Sequence, residues 1–257
     1  YTFTTGGNIT FASSTSSLAG GTGSPTYTFT AGGDVTLGLV DANTGTINVT
    51  AGSGGTGSIV DIETASGSET DTDNSYIKAA TISLTAADRI GGSSAITVDT
   101  AGAFTNFVGA IDIDLGTGNL TFSQPNGTGG NIQVREVSGN LNTNKVFFTQ
   151  SDGAVGSGRQ IALMTHGNEI AGTSAGNLNW VKTNINNTLV DDFTGTDDNI
   201  FLVAVGGSTA TESANLVAIS QALNSSDTNL TLHIVADRNN TDAVGLSQVN
   251  ISAAVSF

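Results

Sequence analysis

A chain of 257 residues with 34 glycines, two prolines, no cysteine and a formal net charge of −15 does not read as an ordinary globular domain. Seven Lys and Arg against 22 Asp and Glu exclude a binder of phosphate backbones or of anionic headgroups, both of which need clustered cations. No run approaches the ~18 apolar residues of a membrane-crossing helix, and the mean hydropathy of +0.06 excludes a polar disordered tail.

The chain opens on a repeat. Tyr1-Thr-Phe-Thr-Thr-Gly-Gly-Asn-Ile-Thr-Phe11 returns as Tyr27-Thr-Phe-Thr-Ala-Gly-Gly-Asp-Val-Thr-Leu37, with seven of eleven positions identical at an offset of 26. A unit this short cannot bury its own apolar face, so it must stack on its neighbours. Because Tyr1 begins mid-pattern, without Met or a basic leader, an excised stretch of something longer is expected.

Short runs of period-two alternation follow, most of them entered through Gly or Gly-Asn/Asp: Gly7–Phe11, Gly33–Leu37, Gly45–Val49, Gly57–Val60, Ala80–Leu84, Ala95–Val98, Ala110–Ile113, Gly118–Phe122, Gly130–Val134 and Gly139–Leu141. This period puts Ile, Val, Leu and Phe on one face and Thr, Asn or Asp on the other. The Gly and Asn before each run are expected to supply left-handed corners. Long hairpins joined by two-residue turns would read differently, and helices are disfavoured by the abundance of Thr, Gly and Asn. The fold class predicted is all-β: a parallel β-helix or β-solenoid with loop excursions. At ~20–26 residues per coil it would hold roughly ten to thirteen coils and extend about 50–60 Å.

Two stretches leave the rhythm. Glu63 to Ser75 has no inward face, and Asn184 to Asn199 carries Asp191, Asp192, Asp197 and Asp198 around Phe193. From Gly139 the spacing loosens and Phe147, Phe148, Met164, Trp180, Phe193 and Phe201 appear. The chain therefore divides into regular coils over 1–138 and a less regular continuation, or a terminal unit, over 139–257. Thr211 to Leu223 admits two readings: a helix capped by Thr211, or a coil strand at Asn215–Ile219. Alternation returns over Thr228–Val235 and Ser247–Phe257.

The phrases Ala31-Gly-Gly-Asp-Val-Thr-Leu37 and Gly45-Thr-Ile-Asn-Val-Thr-Ala-Gly52 resemble the repeats of large bacterial surface exoproteins, in style the filamentous-haemagglutinin-like, two-partner-secreted adhesins. The resemblance covers most of residues 1–140. It implies a right-handed β-helix, secreted and extracellular or held at the bacterial cell surface. It further implies a non-catalytic structural or adhesive role, with neighbouring solenoid segments or subunits as end-to-end partners and a surface glycan or protein as receptor. No nucleic-acid partner and no membrane insertion are expected.

Little chemistry competes with that reading. Glu69, Asp71, Asp73 and Asn74 place oxygens at alternate positions as calcium loops do, and the Asp191–Asp198 loop is similar. Ca²⁺ is thus the one cofactor left open, although the Gly and closing Glu of an EF-hand loop are missing. The same acids could form a glycosidase pair on adjacent coils. The cations that would hold an acidic sugar are scattered, however, at Lys78, Arg89, Arg135, Lys145, Arg159, Lys182 and Arg238. A polysaccharide-active β-helix enzyme is therefore the alternative, and a self-assembling filament subunit is the third reading. His166 and His233 lack zinc-site spacing, and His233 reads as an outward strand residue. Thr2, Thr4, Thr10, Thr28, Thr30 and Thr36 form outward ladders, best explained by the β propensity of Thr. No catalytic, cofactor-binding or metal-ligating residue is assigned.

Overall fold

The computed structural model describes residues 1–12, 17–20, 23–62, 75–92, 97–98, 104–105, 109–124, 130–150, 160–166, 176–181, 199–205, 216–220, 223–224, 231–236, 248–252 and 255–256. The first sheet shows how it is built. Six strands, Thr2–Thr5, Thr26–Ala31, Thr46–Ala51, Thr81–Ala86, Asn119–Gln124 and Val146–Gln150, lie side by side in that order, each parallel to the next. Their alternation is the one read from the sequence. Tyr27, Phe29 and Ala31 point inward and are buried, as are Ile47, Val49 and Ala51, then Ile82, Leu84 and Ala86.

The repeat has a direct structural consequence. An offset of 26 puts Thr2 opposite Thr28, so identical residues pile on one another. Tyr1 stacks on Tyr27 at 5.4 Å and Phe3 on Phe29 at 5.1 Å, ring to ring. Later steps are uneven. Thr28 lies opposite Asn48, a step of 20, whereas Ile90 bridges to Ile132, a step of 42.

The longest sheet holds eight strands, again parallel throughout: Ser17–Ala19, Leu39–Asp41, Ile77–Lys78, Ile111–Asp114, Ile132–Glu136, Gln160–His166, Asn199–Val205 and Thr231–Ala236. Its seven gaps at ~4.8 Å give about 34 Å between the outer strands. That is shorter than the sequence reading expects, because the chain spends 35 residues between Thr46 and its partner Thr81, and 42 between Ile90 and Ile132. A three-stranded sheet, Ile9–Thr10, Val35–Leu37 and Ile59–Asp61, continues through the bridges Ile59 to Ile90 to Ile132. Ile132–Glu136 consequently continues two walls at once: Ile132 bridges Ile90, while Val134 lies opposite Ile111.

A new parallel sheet begins just beyond: Leu141–Asn142, Leu178–Trp180, Leu216–Ile219 and Gln248–Ile251. Pairing crosses residue 139, since Leu120 lies opposite Val146 and Ile132 opposite Ile161. Leu223–Asn224 pairs with Val255–Ser256. Of the two readings of Thr211 to Leu223, the strand is the observed one over Leu216–Ile219; residues 211–215 lie outside the described residues. Thr97–Val98, expected as a coil strand, instead pairs antiparallel with Phe104–Thr105. The place next to Ile77–Lys78 is taken by Ile111–Asp114.

The architecture is thus all-β with parallel sheets, the arrangement a parallel β-solenoid requires. No α-helix occurs among the described residues. One core runs the length of the stack. Tyr27, Val40, Leu84, Phe122, Trp180 and Ile219 belong to a single cluster, with Ile9, Phe11 and Leu18 packed against it on one side and Leu232 and Ile234 on the other.

The corners follow the sequence expectation only in part: Gly109 and Gly139, at the entry to two of the runs, have positive φ, but the first corners work differently. Asn8 and Asp34 do not adopt positive φ; Asn43 is the one described non-glycine residue that does. Instead, their side chains clasp the next turn. The Asp34 N–H donates to Asn8 Oδ1 at 3.0 Å, and the Ser58 N–H to Asp34 Oδ1 at 2.8 Å. Neither Gly32 nor Gly33 has a positive φ. They are needed because a Cβ at Gly32 would run into the carbonyl of Gly6, and one at Gly33 into Asn8 Oδ1. Close approach of stacked turns, more than a left-handed backbone, selects glycine here.

Candidate functional site

Three regions carry chemistry or contact: the outer face of the first sheet, a buried ionic group in the long sheet, and the exposed ends of the core.

On the first sheet the register aligns side chains that the sequence shows only as scattered hydroxyls. One outward column runs Thr2, Thr28, Asn48, Ser83, Thr121 and Phe147; a second runs Thr4, Thr30, Thr50, Thr85 and Ser123. A third holds Thr26, Thr46, Thr81 and Asn119. The columns carry no charge. Thr-x-Thr does not recur at every level, but Ser and Asn fill the same places, as β propensity and solvation of an outer wall demand.

The ionic group sits where the two walls merge. Asp112 and Arg135 are partners in register on the outward side of the long sheet, yet both are buried. Arg135 donates from Nε to Asp112 Oδ1 and from Nη2 to Oδ2, each at 2.7 Å, the fork geometry that makes an arginine–carboxylate pair strong. Two residues along the same strand, Asp114 meets Lys78 at 2.8 Å, and this bond, opposed by partial burial, raises the Lys78 ammonium above its ordinary pKa. On the inward side, Glu136 follows Ile132 and Val134 into the core and is fully buried. The N–H groups of Leu115 and Ser138 donate to its carboxylate at 3.0 and 3.2 Å. Burial outweighs those bonds and holds the carboxyl well above its usual range. A fourth acid, Asp61, accepts from the Ser75 hydroxyl at 3.0 Å.

These carboxylates pair, clasp amides or accept hydroxyl bonds inside packed layers. The sequence reading passed over them because Arg135 looks isolated; the one signal was Ile111-Asp-Ile-Asp114, which puts two acids on the face opposite two core residues.

The outer side of the long sheet turns apolar further along, where Ala162, Met164, Phe201 and Val203 form a second buried cluster. His233 lies at its margin on the outward side, as read from the sequence. Its ring stacks on Phe201 at 4.4 Å, with Nε2 3.0 Å from Asn199 Oδ1, and burial lowers its pKa. His166 pairs in register with Val205 and His233 with Phe201, four residues away on that strand, so the register does not bring the two histidines together. Both proposed calcium loops, Glu69–Asn74 and Asp191–Asp198, lie outside the described residues. Among the described residues no group of three or more His, Asp or Glu is placed to hold a metal ion. No helix there is long and apolar enough to cross a membrane.

The third region is the end of the stack. A cavity of about 280 Å³ opens there between Phe3, Ile9, Phe11, Leu18 and Phe29. Comparison with protein-family models, curated proteins and solved structures finds no match for this chain.

Proposed function

We infer that this chain is a non-catalytic shaft segment of a secreted bacterial fibre or surface adhesin, folded as a right-handed parallel β-helix. The handedness and the setting come from the resemblance of Ala31–Leu37 and Gly45–Gly52 to haemagglutinin-type repeats. The observation that carries the reading is the single inward column from Tyr27 to Ile219, flanked by parallel sheets in register. A column of this kind transmits load along its axis and presents its sides as a passive wall. Two further features support it. The outer face of the first sheet is an uncharged lattice of Thr, Ser and Asn, and three acids of the long sheet, Asp112, Asp114 and Glu136, are buried with hydrogen-bond or ion-pair partners. Adhesion would then be carried by side loops or by an adjoining segment.

The test sets shaft against polysaccharide-active enzyme. The chain is incubated with a panel of neutral and acidic polysaccharides, and new reducing ends and unsaturated products are measured alongside retention on the immobilised polymers. Retention or indifference without product is the expected outcome. Sustained release of reducing ends, abolished by changing one carboxylate, would overturn the shaft reading.

A further inference from the structure

We propose that the outward face of the first sheet is an ice-binding surface, whose columns of Thr, Ser and Asn dock on the lattice of crystalline water. The surface is complete within that sheet and would work whatever the rest of the shaft carries.

Four interior strands, Thr26–Ala31, Thr46–Ala51, Thr81–Ala86 and Asn119–Gln124, turn twelve side chains outward, each exposed or half-exposed. Eight are Thr, two Ser and two Asn. β propensity accounts for Thr at any one place but not for the set, because Val, Ile and Tyr form strands equally well and Lys or Glu would solvate a wall equally well. None of these enters. The long sheet of the same chain shows the contrast, with Asp41, Lys78, Asp112, Asp114 and Arg135 on its outward side. A chain of net charge −15 thus keeps this face neutral.

The strands pair without slip, Thr26 to Thr46 to Thr81 to Asn119 and Thr30 to Thr50 to Thr85, so the columns keep their places from level to level. Levels follow one another at ~4.8 Å, and neighbouring columns stand about 6.6 Å apart, two residues of a parallel strand. The result is a rectangular net whose cell is close to that of the oxygen atoms on a prism face of ice. Branching at Cβ holds each Thr in few rotamers, so hydroxyl and methyl are set before contact and little freedom is lost on docking. The hydroxyls then take the places of lattice oxygens, and the methyls fill the hollows between them. A charged group would hold its own hydration shell and break the net. Phe147, the exposed ring that follows Thr121, interrupts the first column. A crystalline polysaccharide suits the face less well: sugar rings stack on rows of coplanar aromatics, and the described face offers only Phe147.

Freezing-point osmometry of the whole chain and its partition into slowly grown ice test this. The expected results are a gap between melting and freezing points that grows with concentration, faceted crystals, and enrichment of the chain in the ice. Thr50→Tyr plants a bulky ring in the middle of the second column and should shrink the gap on the order of tenfold by holding the face off the lattice. Thr36→Tyr, on the outward side of Val35–Leu37 in the three-stranded sheet, should leave the gap unchanged. Phe147→Thr carries the first column one level further and should widen it. Amide-exchange protection of Thr81–Ala86 reports whether each variant is folded, and Thr30→Lys replaces a Thr50 variant that is not. A wild-type chain that shows no gap and is excluded from the ice overturns the proposal, as does an equal loss from Thr36→Tyr and Thr50→Tyr. Retention on crystalline cellulose or chitin without a gap assigns the face to a polysaccharide and overturns it too. Each of these outcomes leaves the shaft reading standing, because that reading is decided by the release of reducing ends.

Discussion

Leu84 offers the sharpest test of the inward column. It is fully buried, with Val49 opposite on one side and Phe122 on the other. Leu84→Ala removes three carbon groups, about 2.4 kcal/mol of transfer free energy at ~0.8 kcal/mol each. The packed layers on either side cannot close in fully, so a cavity contribution brings the expected cost to about 3 kcal/mol. Ser83 is the control: it sits on the same strand, one residue away, facing outward. Ser83→Ala should change stability by less than about 0.5 kcal/mol. Urea unfolding measures both. Amide exchange followed by mass spectrometry adds the spatial signature, because coupling in a stack is between nearest neighbours. Thr46–Ala51 and Asn119–Gln124 should lose protection first, and Thr2–Thr5 least. Equal costs for the two substitutions, or a uniform loss of protection along the chain, would refute a layered column.

Three more outcomes follow from the polar interior. Arg135→Ala removes the fork partner of the buried Asp112 and should cost about 3–5 kcal/mol, whereas replacing both by Met and Leu should recover most of it; a small single-variant cost would show that the pair is not structural. Asp34→Ala removes the acceptor for the Ser58 N–H and should cost about 1 kcal/mol in thermal unfolding, while Asp34→Asn, which keeps an acceptor, should not. Glu136 binds its proton more tightly folded than unfolded. Its stabilising effect is therefore complete below the ordinary glutamate range and is lost as pH rises through the raised value. Glu136→Gln should flatten that part of the stability–pH curve, and an unchanged slope would locate the dependence elsewhere.

Much of the fold can be read from local pattern. The 26-residue repeat anticipates the stacks of Tyr1 on Tyr27 and Phe3 on Phe29, and alternation separates inward Ile82 and Leu84 from outward Thr81 and Ser83 without reference to any neighbour. Acid–base pairing is not legible this way. Asp112 and Arg135 lie 23 residues apart and meet only because Ile111–Asp114 and Ile132–Glu136 are adjacent strands in one register. The corner residues were visible as Gly-Asn and Gly-Asp, but their action across turns was not, since a side chain that caps an amide 26 residues away leaves no local sign.

Strand identity, strand face and the need to stack were thus determined by sequence alone, because they follow from period-two hydrophobicity in units too short to close a core. Tertiary structure decided which strand lies on which, that two walls merge at Ile132–Glu136, and that Thr97–Val98 leaves the stack. Those outcomes depend on connections whose steps range from 20 to 42 residues, and a strand carries no mark of its partner until the chain between them has been placed.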